Sequence, residues 1–258
     1  MNRLDRQSFL GAQSDQILAG ATIGFVGLGG GGSHAAQQGA HIGIGSHVLV
    51  DHDRIDLTNT NRLVGGTLLD VLLRRHKTAI AARTIRTLNP SAHIVEVRKS
   101  WHDAIEELKR CDIIVGAVDS FREREQLERF ARRHLIPYID MGMDVHETSA
   151  GHLVSGQVIL SSPGRPCLRC CGLITDERLK EEAGKYGSAG GRPQVVWPNG
   201  ALASTAVGLM VQTLTPWHRK PAGFAYLVYD GNKGTITPSP RAAMMQELTC
   251  PHHPADDQ

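Results

Sequence analysis

With 258 residues and 41% apolar side chains, the chain can bury one substantial core, and α/β folds of this length commonly form a single domain. A net charge of +2 lacks the basic density of a protein whose binding is dominated by phosphate contacts, so nucleic acid is not implied. The N-terminal stretch MNRLDRQSFLGAQSDQ has no apolar core of signal-peptide length, and nothing approaches the roughly 20 apolar residues of a membrane span, so a cytoplasmic protein is expected. Five cysteines, an odd number without an export signal, point to metal binding or catalysis rather than to a disulfide framework.

Along the chain, apolar β-rich runs at 21–26, 47–50, 93–97, 113–118 and 137–139 read as strands. Helical spacing occupies 33–42, 77–88 and 121–134 between them, with Asn89-Pro90 stopping the second helix. This alternation implies βαβ units and a parallel sheet, hence a Rossmann-like first half over 1–142. Beyond Gly142, strand-like runs at 151–160 and 225–229 and one apolar helix at 200–214 predict a mixed second half over 143–258. Residues 175–198 carry charges and four glycines without a clear period, and read as a long functional loop crossing between elements. The fold expected is α/β: a Rossmann-like sheet, parallel then mixed, flanked by helices.

The first strand runs into Gly27-Leu28-Gly29-Gly30-Gly31-Gly32-Ser33, which places G-x-G-x-x-G at Gly27, Gly29 and Gly32 directly before a helix. Glycines let backbone N–H groups approach a phosphate closely, and the helix N-terminus adds partial positive charge. Asp51 ends the next strand 19 positions beyond Gly32, where a carboxylate can accept hydrogen bonds from ribose hydroxyls. Nucleotide binding follows. The fingerprint alone favours NAD.

The argument turns at Asp51-His52-Asp53 and Asn59-Thr60-Asn61-Arg62. Together with the glycine turn, here including Gly30, the D-x-D and N-x-x-R pattern resembles the ubiquitin-activating-like ThiF/HesA/MoeB family. The resemblance extends over nearly the whole chain, to Arg3, Arg6 and Gln7 as R-x-x-R-Q, to Lys77 opening a helix that ends in Asn89-Pro90, and to Asp119. It implies ATP-dependent adenylation of a carboxylate. Attack on the α-phosphate builds charge that Arg62 and Lys77 are suited to meet. By analogy with the family, Asp119 would hold Mg²⁺, Asp51, Asp53 and Asn59 would position ATP, and Arg6 would reach the phosphates of a neighbouring subunit in a homodimer.

Cys167-Leu168-Arg169-Cys170 pairs with Cys250-Pro251-His252-His253 far downstream, two clips that together supply three thiolates and an imidazole for a closed, structural Zn²⁺ site. Family relatives commonly carry CxxC at both places. The set expected is Cys167, Cys170, Cys250 and His253, with His252 able to replace the last. No cysteine lies between Gly172 and Thr249, where many relatives carry a thioester-forming thiol. Cys171 reads as packed against the zinc loop and Cys111 as core. Adenylation is therefore better supported than thioester formation.

The partner expected is the C-terminal glycine of a small ubiquitin-like or sulfur-carrier protein, with a conjugating or sulfur-transfer protein downstream. Two alternatives stay open: adenylation of a tRNA modification, to whose enzymes Thr58–Arg62 is similar, or of a peptide carboxylate; and a subunit without catalysis. The retained Arg62, Lys77 and Asp119 argue against the latter.

Overall fold

The computed structural model describes residues 3–149, 151–184, 193–218, 223–246 and 248–253. Helix α1 (Ser14–Gly20) leads into β1 (Thr22–Val26), α2 (Gly30–Ile42) and β2 (Ser46–Val50), followed by the short α3 (Leu68–Leu72), α4 (Lys77–Leu88) and β3 (His93–Val97). Then come α5 (Ile105–Leu108), β4 (Ile113–Gly116), α6 (Phe121–Arg133), β5 (Tyr138–Thr148) and β6 (Gly151–Ser161). Helices α7 (Asp176–Gly184) and α8 (Val196–Leu214), strands β7 (Ala225–Asp230) and β8 (Thr235–Pro238), and α9 (Pro240–Met245) complete the described elements.

One sheet joins the strands in the order β3-β2-β1-β4-β5-β6-β7-β8. Pairing is parallel from β3 to β5 and antiparallel from β5 to β8, as the sequence pattern predicts. The parallel strands are apolar on successive residues because helices cover both faces. Ile23, Phe25, Leu49 and Val115 pack toward the alanines of α2 and the apolar stripe of α8. Val26, Val48, Val50 and Ile114 pack on the other face with Leu127, Phe130 and Ala131 of α6. The order reverses between β1 and β4, and the crevice beyond the carboxyl ends of those strands is where α/β sheets of this kind bind ligands.

Helix α2 ends at Gly43 (φ 95°), whose N–H and that of Ile44 close the last turn on Ala40 and Gly39 carbonyls. Helix α4 matches the sequence expectation at both ends, and the buried Asn89 that stops it donates to the Ile44 carbonyl at 3.0 Å. Other boundaries differ. The strand expected at 137–139 runs on to Thr148 and crosses the expected division at 142, because it gains β6 as an antiparallel partner. Strand β8, exposed along its length and ending in Pro238, was not anticipated. The expected loop 175–198 contains α7 and the first turn of α8, while its part at 185–192 lies outside the described residues.

Candidate functional site

The glycine turn is fixed by contacts that exclude side chains. Gly27 has φ 83°, and a Cβ there would lie 2.6 Å from the Ala117 carbonyl oxygen; at Gly32 it would lie 1.8 Å from the Gly27 carbonyl oxygen. Gly30 faces Asn199 of α8, whose amide nitrogen would be 2.6 Å from a Cβ. Gly29 differs, for a Cβ there meets nothing within 4 Å. It opens on the cavity and precedes α2, whose first turn has no side-chain cap. The first N–H groups of α2 are thus left for an anion.

Asp51 ties this turn to the loop after β2. It is buried, one carboxylate oxygen accepting from Leu28 N–H at 2.7 Å and the other from Asp53 N–H at 2.8 Å. Asp53 is exposed and pairs with Lys77 Nζ at 2.7 Å, while its carbonyl accepts from Lys77 N–H. Asn59 and Asp56 cap the turn Leu57–Asn59 reciprocally, which fixes the approach of Arg62. The Arg62 guanidinium donates to the Thr58 carbonyl (2.7 Å) and to Asn61 Oδ1 (2.9 Å).

These groups border one cavity of about 540 Å³, lined by Gly27, Gly29, Gly30, Asp51, Asp53, Asn59, Arg62, Lys77 and Asp119. Such a volume is ordinary for a small-molecule site. Asp119 is exposed after β4 and receives Gln194 Nε2 at 3.4 Å. Ser120 caps α6, and Glu182 of α7 adds its carboxylate to that end, accepting from Ser120 Oγ, Phe121 N–H and Arg122 N–H at 2.9–3.1 Å. Of the sequence-predicted site residues in the first half, two stay outside the cavity lining: Gly32, packed on the Gly27 carbonyl, and Arg6. The latter is exposed on the turn Asp5–Leu10, while its neighbours Arg3 and Gln7 bond carbonyls at the C-terminal end of α2.

Sequence reasoning missed other lining residues. Trp101 borders the cavity next to Lys99 and Ser100, its indole N–H donating to Glu123. Met141, Gly142 and Met143 of β5 form a further wall with Asn199, Leu202 and Arg124.

On the other side of α6, Cys167, Cys170, Cys250 and His252 place one donor atom each within 4.8 Å of the others. The Sγ–Sγ separations are 3.6 Å (Cys167–Cys170) and 3.8 Å (Cys170–Cys250), and His252 Nδ1 lies 3.5 and 3.4 Å from Cys167 and Cys170 Sγ. A zinc tetrahedron with Zn–S near 2.3 Å and Zn–N near 2.0 Å has edges of about 3.8 and 3.5 Å, so the donor set fits that ion. His252, the alternative to the expected His253, is the imidazole that joins the three thiols, while His253 lies beside Glu128 and Cys167. Glu128 is wholly buried and accepts Leu168 N–H with both oxygens, anchoring the loop, and burial pushes its carboxyl up to about 7. Burial likewise pushes the Cys111 and Cys171 thiols up to about 12, which disfavours the thiolate at both.

The parallel βαβ half with its glycine turn and the antiparallel half that closes it define a Rossmann-like α/β class. The chain belongs to the ThiF family, whose model matches residues 2–251. It is 33% identical over 135 residues to the tRNA threonylcarbamoyladenosine dehydratase of Escherichia coli (strain K12), a match covering 51% of this chain and 50% of that protein. It is 31% identical over 163 residues to the SAMP-activating enzyme E1 of Haloferax volcanii, covering 62% and 57% respectively. The chain thus spans about half the length of these curated relatives. Among solved structures, Escherichia coli MccB with ATP superposes with a TM-score of 0.76 at 21% identity, over 97% of this chain and 73% of that one, a likeness of fold.

Proposed function

We propose that this chain is an adenylyltransferase that uses ATP and Mg²⁺ to activate the C-terminal carboxylate of a small ubiquitin-like or sulfur-carrier protein. The observation that carries this is the convergence of Asp51, Asn59, Arg62, Lys77 and Asp119 on the cavity in front of the α2 N-terminus. Relatives named as a sulfur carrier protein adenylyltransferase and as activating enzymes support it. In the reaction a carboxylate oxygen bonds to the α-phosphorus while the bond from that phosphorus to the bridging oxygen breaks, and pyrophosphate leaves with no net proton transfer. Arg62 and Lys77 meet the charge on the phosphoryl oxygens, and the backbone N–H groups of 29–31 supply fixed donors. Asp51, Asp53 and Asn59 position the nucleotide. Asp119 would hold Mg²⁺, a hard cation suited to carboxylate and phosphate oxygens.

All five cysteines lie among the described residues, and none lines the cavity. The acyl-adenylate therefore passes to an acceptor brought by another molecule, a conjugating or sulfur-transfer protein. Cys167, Cys170, Cys250 and His252 hold a structural Zn²⁺. Arg6 is supplied across a homodimer interface, in keeping with its exposed place away from its own cavity. Among the described residues no helix is long and apolar enough to cross a membrane, which agrees with a cytoplasmic enzyme.

A second reading, adenylation of a tRNA modification, draws on the 33% identity to the threonylcarbamoyladenosine dehydratase and on the Thr58–Arg62 run. ATP–pyrophosphate exchange separates the two. Stimulation by a carrier protein ending in glycine supports the first reading, stimulation by modified tRNA the second, and tight NAD binding without ATP binding defeats both. For the shared site, mixing Arg6→Ala and Asp119→Ala subunits should restore up to about one quarter of the activity by random exchange. No rescue despite demonstrated exchange removes the trans role of Arg6.

A further inference from the structure

The cavity has a wall that the nucleotide reading does not use. With phosphates at the α2 N-terminus, the groups meant for ATP come from the ends of β1, β2 and β4. In the sheet order β5 lies beyond β4, so its segment Met141, Gly142, Met143 faces the cavity from the side left for the second substrate. Arg124 of α6 lines the cavity on this side.

Arg124 is one of three charged side chains that α6 buries, with Glu128 and Arg132. The side chain is only 9% exposed. Nε donates to the Val118 carbonyl at 2.9 Å, and Nη1 reaches Asp140 Oδ2 at 3.4 Å, a long contact for an ion pair. The other Asp140 oxygen accepts from the Tyr138 hydroxyl. Asp140 is wholly buried, and burial raises its carboxyl above the usual range, which disfavours the anion that would neutralise Arg124. The counter-charge is therefore weak where a buried cation needs it most. Nη2 has no hydrogen bond among those assigned above; it lies over the β5 backbone, where a Cβ on Gly142 would come within 2.1 Å of it. Asp140 and Gly142 share a face of β5, and the absent side chain at 142 makes the room through which the guanidinium passes.

We infer that Arg124 is the acyl-site residue: its guanidinium binds the carboxylate of the second substrate and then the carbonyl oxygen of the acyl-adenylate through Nη2. The inference rests on the adenylation reading. A desolvated guanidinium grips a carboxylate strongly, and it orients one oxygen toward the α-phosphorus without entering the phosphate site.

Calorimetry with sulfamoyl adenosine and with glycylsulfamoyl adenosine, a stable mimic of a glycyl-adenylate, tests it. The wild-type chain should bind the acylated ligand about tenfold tighter or more, the gain expected of a charge-assisted hydrogen bond. Arg124→Gln should abolish this margin while affinity for plain sulfamoyl adenosine stays within about twofold. Gly142→Ala, whose methyl group would displace the guanidinium from its place over β5, should shrink the same margin and serves if Arg124→Gln does not fold. A margin that survives in either folded variant overturns the inference, as does an equal loss for both ligands, which would place Arg124 on the phosphate or in the scaffold. A wild-type chain that binds sulfamoyl adenosine with no acyl margin sinks the role of Arg124 alone. Binding of neither ligand sinks the adenylation reading with it.

Discussion

The cavity and the thiol cluster flank the same helix, α6, yet they are built on opposite principles. The cavity groups are spread over the ends of four strands, and several keep exposed charge: Asp53, Asp119 and half-buried Arg62, while Lys77 is largely covered and paired with Asp53. The thiol cluster draws its donors from two short segments, with Cys167 and Cys250 buried and the Cys167 loop clamped by Glu128. On the adenylation reading, charges that meet and release a triphosphate have to remain hydrated and able to exchange partners. A closed donor set surrounded by core contributes its binding energy to folding instead. Position in the molecule tells less about role than how dearly each group is kept from water.

Substitutions can break this contrast on either side. The largest effect is expected at Asp119. Asp119→Ala should reduce pyrophosphate exchange by on the order of 10³-fold, with thermal stability unchanged, because the side chain is exposed and, among the described residues, Gln194 alone hydrogen-bonds to it. Exchange near the wild-type rate in a folded Asp119→Ala protein would remove this carboxylate from the site. Arg62→Ala should slow the reaction by on the order of 10²-fold, again without unfolding; a change within threefold would make Arg62 a surface charge.

On the other side the readouts reverse. Cys250→Ser should lower zinc content below one ion per chain and the melting temperature by several degrees, since metal binding is linked to folding. Full zinc occupancy in that variant, measured by atomic absorption, would show that Cys250 is not a ligand. The parallel pair His252→Ala and His253→Ala sharpens the assignment, because only the first should release metal. The smallest effect belongs to Cys171→Ala, expected to leave both metal content and exchange nearly intact, as its buried thiol lies outside both machineries. A reducible carrier adduct that vanishes in Cys171→Ala would contradict that.

Much of this was readable in the sequence, for physical reasons that differ by element. Helix α4 could be bounded on both sides because Asn89-Pro90 is a strong stop and the apolar period is clean. The glycine turn was legible because a backbone with special needs restricts residue type, and Asp51 by its distance from that turn, whereas Asn59 and Arg62 were legible through the family resemblance. Strand β5 was cut short because polar residues and Gly142 interrupt the apolar run, while its extension depends on pairing with β6, a partner distant in no local pattern. Helix α7 has no buried residue and so shows no period. Arg124 sits in Phe121-Arg122-Glu123-Arg124-Glu125, which reads as a solvated face, and only the packing of α6 on β5 reveals it as buried. His252 and His253 are equal donors in sequence, and their backbone placement alone separates them.

The long β5–β6 hairpin has a consequence for amide hydrogen exchange. Strand β7 pairs with β6 only from Ser155 to Leu160, so the tip beyond Ser155 is a ribbon of two strands, whereas Met141–Met143 lie opposite a part of β6 that β7 supports. From Asp140 to Thr148 is about 26 Å at the usual rise per residue, and two-stranded ribbons are marginal in water. Protection should therefore fall steadily along a single strand: nearly global at Ile139, intermediate at Met143, and close to none at Glu147, with the cavity wall held at the slow end of that gradient.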